Sequence, residues 1–133
     1  MFLSRLCTCA WVPLVGRILI GGMFAMAGIQ KLLALDGTAE MIASVNLPAA
    51  SILALIVALF ELGAGAMLIF GYRTHQAASW LAAFTIIATA LFHTDLSDQI
   101  QTALFTKNLA IIGGLLAFSY FGAGKYAMDR PRH

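Results

Sequence analysis

PAASILALIVALFELGAGAMLIF, residues 48–70, is an apolar run interrupted by one charge, Glu61. As an α-helix it would span about 34 Å, enough to cross a hydrocarbon core of about 30 Å. Its apolar residues are continuous, not alternating, which argues against a strand of a membrane β-barrel. Asn46-Leu47-Pro48 ahead of it supplies a cap and a first-turn proline, and Gly71 behind it supplies a stop.

Three more runs of the same kind lie on either side. The first covers residues 13–35, from Pro13 to a terminator at Asp36-Gly37. The third covers residues 74–93, directly after the tight turn Gly71-Tyr72-Arg73, and the fourth covers residues 107–124, from Thr106-Lys107-Asn108 to Gly122 or Gly124. Of 133 residues, 61% are hydrophobic and 11% charged, and the mean hydropathy is +0.89. A soluble domain carries about 25% charged residues. Lipid must therefore cover this surface, and the expected architecture is an all-α, integral membrane four-helix bundle forming one domain over residues 1–133. The start, with Arg5 ahead of an apolar stretch, hints at a signal peptide. Arg17 breaks that apolar run and no small-residue cleavage motif stands out, so the segment is kept with the first helix.

The short second connection makes its two helices antiparallel neighbours. The other two are longer, with room for a short helix each. In the later one, Leu96, Ile100 and Leu104 recur every four residues among Asp95, Asp98 and Gln99, the pattern of a helix lying at the membrane interface. With four crossings, Arg5, Arg17, Arg73, Lys125, Arg130 and Arg132 share one side. Asp36, Glu40, Asp95 and Asp98 share the other, with Lys31 and Lys107 at helix ends. The bias places both termini in the cytoplasm. Small residues four apart, Gly21 with Ala25, Ala78 with Ala82 and Ala110 with Gly114, mark places where helices can approach closely.

Several chemistries are disfavoured. A net charge of +2 without a basic stripe argues against nucleic acid. Cys7 and Cys9 form C-x-C, neither a redox C-x-x-C nor half of a metal site, and read as a juxtamembrane pair. His75 and His93 lie on one helix about 27 Å apart, and His133 is in a tail, so facing haem ligands are missing. No phosphate loop, serine–histidine–acid set or metal cluster is present in the sequence.

Polar residues inside the spans are the candidate functional residues, because a charge there is costly unless paired or protonated. Glu61 lies about 14 Å from the nearer end of its helix, close to the bilayer centre. Arg17, about one turn into the first helix from the same side, is its expected partner. That pair either fixes helix register or makes Glu61 a proton or cation site. Toward the other face, Gln30, Lys31, His93, Asp95, Lys107 and Asn108 come from the ends of three helices. They are either snorkelling lysines with a helix-end histidine or, together with Glu61 below them, the lining of a cavity for a small polar or headgroup ligand.

Taken in order, these pieces resemble the DoxX family of small bacterial inner-membrane proteins. The resemblance rests on Arg17-Ile18-Leu19, Gly28-Ile29-Gln30-Lys31-Leu32, Leu47-Pro48, Glu61-Leu62-x-x-Gly65, Gly71-Tyr72-Arg73-Thr74 and Leu91-Phe92-His93. It continues through Lys107-Asn108-Leu109-Ala110, Gly113-Gly114, Gly122-x-Gly124 and Asp129-Arg130. Thr74-His75 departs from it, since the family more often has Thr-Arg there. The resemblance implies a four-helix bundle in the bacterial inner membrane. It also implies an accessory or subunit role in a membrane oxidoreductase, respiratory or oxidative-stress system, with membrane or periplasmic oxidoreductase partners. No intrinsic cofactor is expected, and a quinone is the linked cofactor such a role suggests. A proton-coupled exporter and a non-catalytic scaffold are the rival classes, and the chain alone or as a homo-oligomer fits each of them.

Overall fold

A computed structural model describes residues 9–130; Arg5, Cys7, Arg132 and His133 lie outside that range. The helices are α1 (Trp11–Leu33), α2 (Leu35–Ala43), α3 (Ala50–Phe70), α4 (Thr74–Phe92) and α5 (Gln99–Phe121). No strand occurs among the described residues. α1, α3, α4 and α5 are each long and apolar enough to cross a bilayer, so the protein is the all-α membrane bundle expected.

Three boundaries differ from those read in the sequence. α3 begins at Ala50, with Ala49 in the left-handed region at φ 52° as its N-cap and no side-chain cap, so Asn46 and Pro48 lie ahead of the helix. α1 stops at Leu33, where Ala34 takes φ −136° and ψ 52°. The supposed terminator Asp36-Gly37 instead opens α2. An acid in a first turn meets the partial positive charge of the helix N-terminus, and the Thr38 hydroxyl donates to Ala34 O at 3.1 Å. α2 is thus the short helix expected in the first long connection. The second long connection holds none, because α5 begins at Gln99 and not near 107. Asp98 caps it by accepting from Ile100 N at 3.0 Å, and no glycine or proline interrupts residues 99–112. Ile100 and Leu104 are the opening turns of a spanning helix, and Lys107 and Asn108 lie well inside it.

α1 and α3 pack backbone to backbone. A Cβ at Gly65 would lie 2.7 Å from Gly21 O and from Ala25 N, and one at Gly28 would lie 2.6 Å from Leu62 N. In lipid such close approach is a main source of helix association. It also sets the antiparallel register, with Gly21 beside Gly65 and Gly28 beside Ala58. Phe24, Ala64, Leu68, Ala78, Leu81, Ala82 and Leu115 fill the core. α5 buries only Leu115; its Ala110 is exposed, while Gly114 lets Ile20 approach.

The end of the bundle carrying the α3–α4 turn is closed by an almost complete pairing of backbone groups. The last carbonyls of a helix have no partner within it. Here Gly71, at φ +66°, turns the chain so that Tyr72 N donates to Met67 O and Gly71 N to Leu68 O. The Arg17 guanidinium donates to Leu68 O at 3.2 Å and Ile69 O at 2.9 Å, and to Tyr126 O. Met128 N and Asp129 N donate to Phe70 O and Gly71 O. The Asp129 carboxylate accepts from Arg73 N at 2.7 Å and Thr74 N at 2.8 Å, capping α4 from a distant part of the chain. Burial alone would push the Asp129 carboxyl up. The Thr74 and Arg73 hydrogen bonds and the charge on His75 outweigh it and hold the group below the usual carboxylate value.

Candidate functional site

Glu61 is buried, 4% exposed, on the face of α3 turned to α1. Its Oε2 receives the Lys31 Nζ at 2.6 Å, the one side-chain ion pair among the described residues. The expected Arg17–Glu61 pair does not form. Register explains this: Arg17 lies beside Ile69, two turns of α3 from Glu61, where one arm of its guanidinium goes to the helix-end carbonyls and the other to Tyr126 O, while its Nε is buried without a partner. Lys31 stands on the other side of Glu61, and its flexible stem covers an axial offset of about 6 Å. A carboxylate at this depth is thereby paired, as its burial requires.

Above the pair opens a cavity of about 440 Å3 between α1, α2, α3, α4 and α5. Lys31, Glu61, His93, Lys107 and Asn108 all contribute to its lining. Each is carried there by its helix: Lys31 by the last turn of α1, His93 by the residue that ends α4, and Lys107 and Asn108 by the third turn of α5. Gln30, expected with them, is exposed on another face of α1 and does not line the cavity. Asp95 is also outside it, accepting from Ser97 N and Oγ within its own turn.

The remaining wall is apolar, with Phe24, Phe84 and Phe92 the largest side chains. The polar groups form short relays. Asn108 Nδ2 donates to Thr89 Oγ1 at 3.0 Å, Thr89 donates onward to Thr85 O, and Thr85 to Leu81 O. His93 Nδ1 meets Gln101 Oε1 at 2.9 Å, which fixes the ring by one nitrogen. Thr38, Met41 and Ile42 of α2 also line the cavity, a contribution the sequence did not reveal. The helical spacing of Ile42 and Thr38 on one side of an amphipathic segment was the available signal. A half-open, largely apolar cavity with a few polar groups in its lining is a usual form of a small-molecule site.

The comparisons with known proteins agree with this architecture. The DoxX family model matches residues 12–94, which run from the start of α1 to just past α4. The chain is 34% identical over 117 residues to the inner membrane protein YqjF of Escherichia coli K12, covering 88% of each. It is 28% identical over 123 residues to the inner membrane protein YphA of the same organism, covering 88% of this chain and 87% of that one. No solved structure matches the chain. With the family model covering more than half of the sequence and four spanning helices in place, the chain belongs to the DoxX family.

Proposed function

We propose that the protein resides in a bacterial inner membrane with both termini cytoplasmic and that it serves a membrane oxidoreductase, respiratory or oxidative-stress system as a subunit or accessory factor. In this reading the cavity above Glu61 takes the ring of a quinone. The names of the two E. coli relatives support the membrane, and the Lys/Arg bias supports the orientation.

The observation that carries the reading is the cavity itself: a largely apolar space of about 440 Å3 with the Lys31–Glu61 pair at its floor and His93, Lys107 and Asn108 in its lining. These residues fit a flat ring bearing two carbonyls. Phe84 and Phe92 offer it apolar surface, while Lys107 and Asn108 are donors at the level of the polar groups. A bound quinone would supply a couple that moves protons together with electrons. His93 presents an imidazole held through Nδ1 by Gln101, and Glu61, paired with Lys31, orients the ammonium at the cavity floor.

A proton-coupled exporter is less well supported, because the acid such a carrier would use is already paired with a cation on the neighbouring helix. The test is photolabelling of the protein in membranes with a short-chain photoreactive benzoquinone, the labelled residues being mapped by mass spectrometry. Label on the cavity segments of α1 and α4, competed by excess quinone, supports the reading. Label scattered over the lipid-facing surface, or uncompeted, defeats it.

A further inference from the structure

At the opposite end of the molecule, α4 begins where α5 finishes, and the chain after α5 folds back across both. They enclose a second pocket, of about 850 Å3, to which Arg73, Lys125 and Arg130 all contribute, with His75 beside them. Asp129 is the one acid in its lining, and both of its oxygens are already engaged by the backbone N–H groups of Arg73 and Thr74. Since Lys31–Glu61 is the single side-chain ion pair among the described residues, none of the three pocket cations forms an ion pair with Asp129. Arg73 and Lys125 also lie over the Tyr72 and Tyr126 rings, 5.6 and 5.9 Å from the centroids; with Arg130 they outnumber Asp129 in the lining, and such an excess of positive charge attracts an anion.

The pocket's other wall is apolar. Tyr120 and Phe121 are 79% and 80% exposed and meet edge to face, with ring centroids 4.9 Å apart. Depth is fixed by a pattern over the whole chain. Both tryptophans and all three tyrosines, Trp11, Trp80, Tyr72, Tyr120 and Tyr126, belong to the half of the bundle with the α3–α4 turn. Such residues settle at the level of lipid headgroups, so this pocket opens at that level.

We propose that it binds the phosphodiester headgroup of an anionic phospholipid, with Arg73, Lys125 and Arg130 on the phosphate side and the acyl chains running over Tyr120 and Phe121. Basic pockets between membrane helices hold such headgroups elsewhere by the same physics. A soluble phosphate shares the anionic chemistry but makes no use of two exposed rings beside it. The site is independent of the cavity above Glu61 and stands or falls without it.

Native mass spectrometry of the full chain released from nanodiscs decides the matter, with phosphatidylglycerol and phosphatidylcholine present in equal amounts. Phosphatidylglycerol should be retained in about a hundredfold preference, the product of three attractions to an anionic surface. Each lost cation should reduce this about fivefold, the equivalent of its attraction to an anionic surface. The Arg73→Gln, Lys125→Gln, Arg130→Gln triple variant should therefore approach parity, and Lys125→Arg should keep the preference. Should the triple variant not fold, Lys125→Gln alone, at an exposed position beyond α5, still has to show its fivefold fall. Equal retention of the two lipids, or an unchanged preference in the variants, overturns the proposal. Displacement of the lipid by millimolar inorganic phosphate also overturns it, by showing that the pocket takes a soluble anion.

Discussion

Arg17 and Lys31 sit on one helix and resolve opposite kinds of burial. Arg17 brings a forked cation to Ile69 O and Tyr126 O and shares Leu68 O with Gly71 N, whereas Lys31 brings a point charge to a buried carboxylate. Arg17→Ala should cost about 3 kcal/mol, since it strands the Ile69 and Tyr126 carbonyls. Arg17→Lys should recover only part of that, because one ammonium does not reproduce the fork; melting of the detergent-solubilised protein reads both. Lys31→Ala should destabilise by about 2 kcal/mol more than Glu61→Gln, because the first leaves a buried charge unpaired and the second removes it. Asp129 has a lowered native pKa, so its contribution is full above the ordinary carboxylate range and is lost as pH falls through the native value. Asp129→Asn should accordingly flatten the acid side of the melting profile. The sequence made Glu61's need for a cation legible, because burial of an acid follows from hydropathy alone. Its partner was not legible, since only the α1–α3 register, with Gly28 against Ala58 and Leu62, brings Lys31 within about a turn of Glu61 and leaves Arg17 more than two turns away.

Among the elements, α1 and α3 form the tightest contact, and the glycines between them separate packing from mere composition. Gly65→Ala places a methyl 2.7 Å from two backbone atoms of α1 and should cost about 1–3 kcal/mol by forcing the helices apart. Gly63 has open space around its added Cβ, so Gly63→Ala should be neutral or stabilise by up to about 1 kcal/mol. Thermal melts of the two variants side by side give the comparison. The spans themselves were readable because a bilayer demands about 20 apolar residues at a time. The start of α5 was not, because Asp98 acts as a cap inside a segment whose apolar stripe also suits an interfacial helix. The Lys107-Asn108 pair looked like an opening but occupies a helix interior, where it is close enough to α4 for Asn108 to reach Thr89.

Across the whole molecule, the two ends carry different chemistry. One end gathers the tyrosines, the tryptophans and most of the Lys/Arg residues around a turn closed by backbone hydrogen bonds; the other holds an apolar cavity with an ion pair at its floor. The Lys/Arg bias predicts that reporter fusions at Gly37 and Ser97 lie outside and those at Arg73 and the C-terminus inside; a C-terminal fusion reading outside would contradict four crossings with cytoplasmic ends. Lys31 and His93 were expected together because both stand at helix ends, whereas Lys107 lines the same cavity from the third turn of α5 and not from its start; the exclusion of Gln30 and Asp95 depended on helix rotation and a local turn that spacing does not encode. The most direct measurement is the quinone content of the protein extracted mildly from its native membrane, quantified per chain for the wild type and for the Lys31→Ala, His93→Ala, Lys107→Ala variant. Near-stoichiometric quinone in the wild type and its loss in a still-folded variant is the expected result. Equal content in the two, or none in either, would contradict the assignment of the cavity.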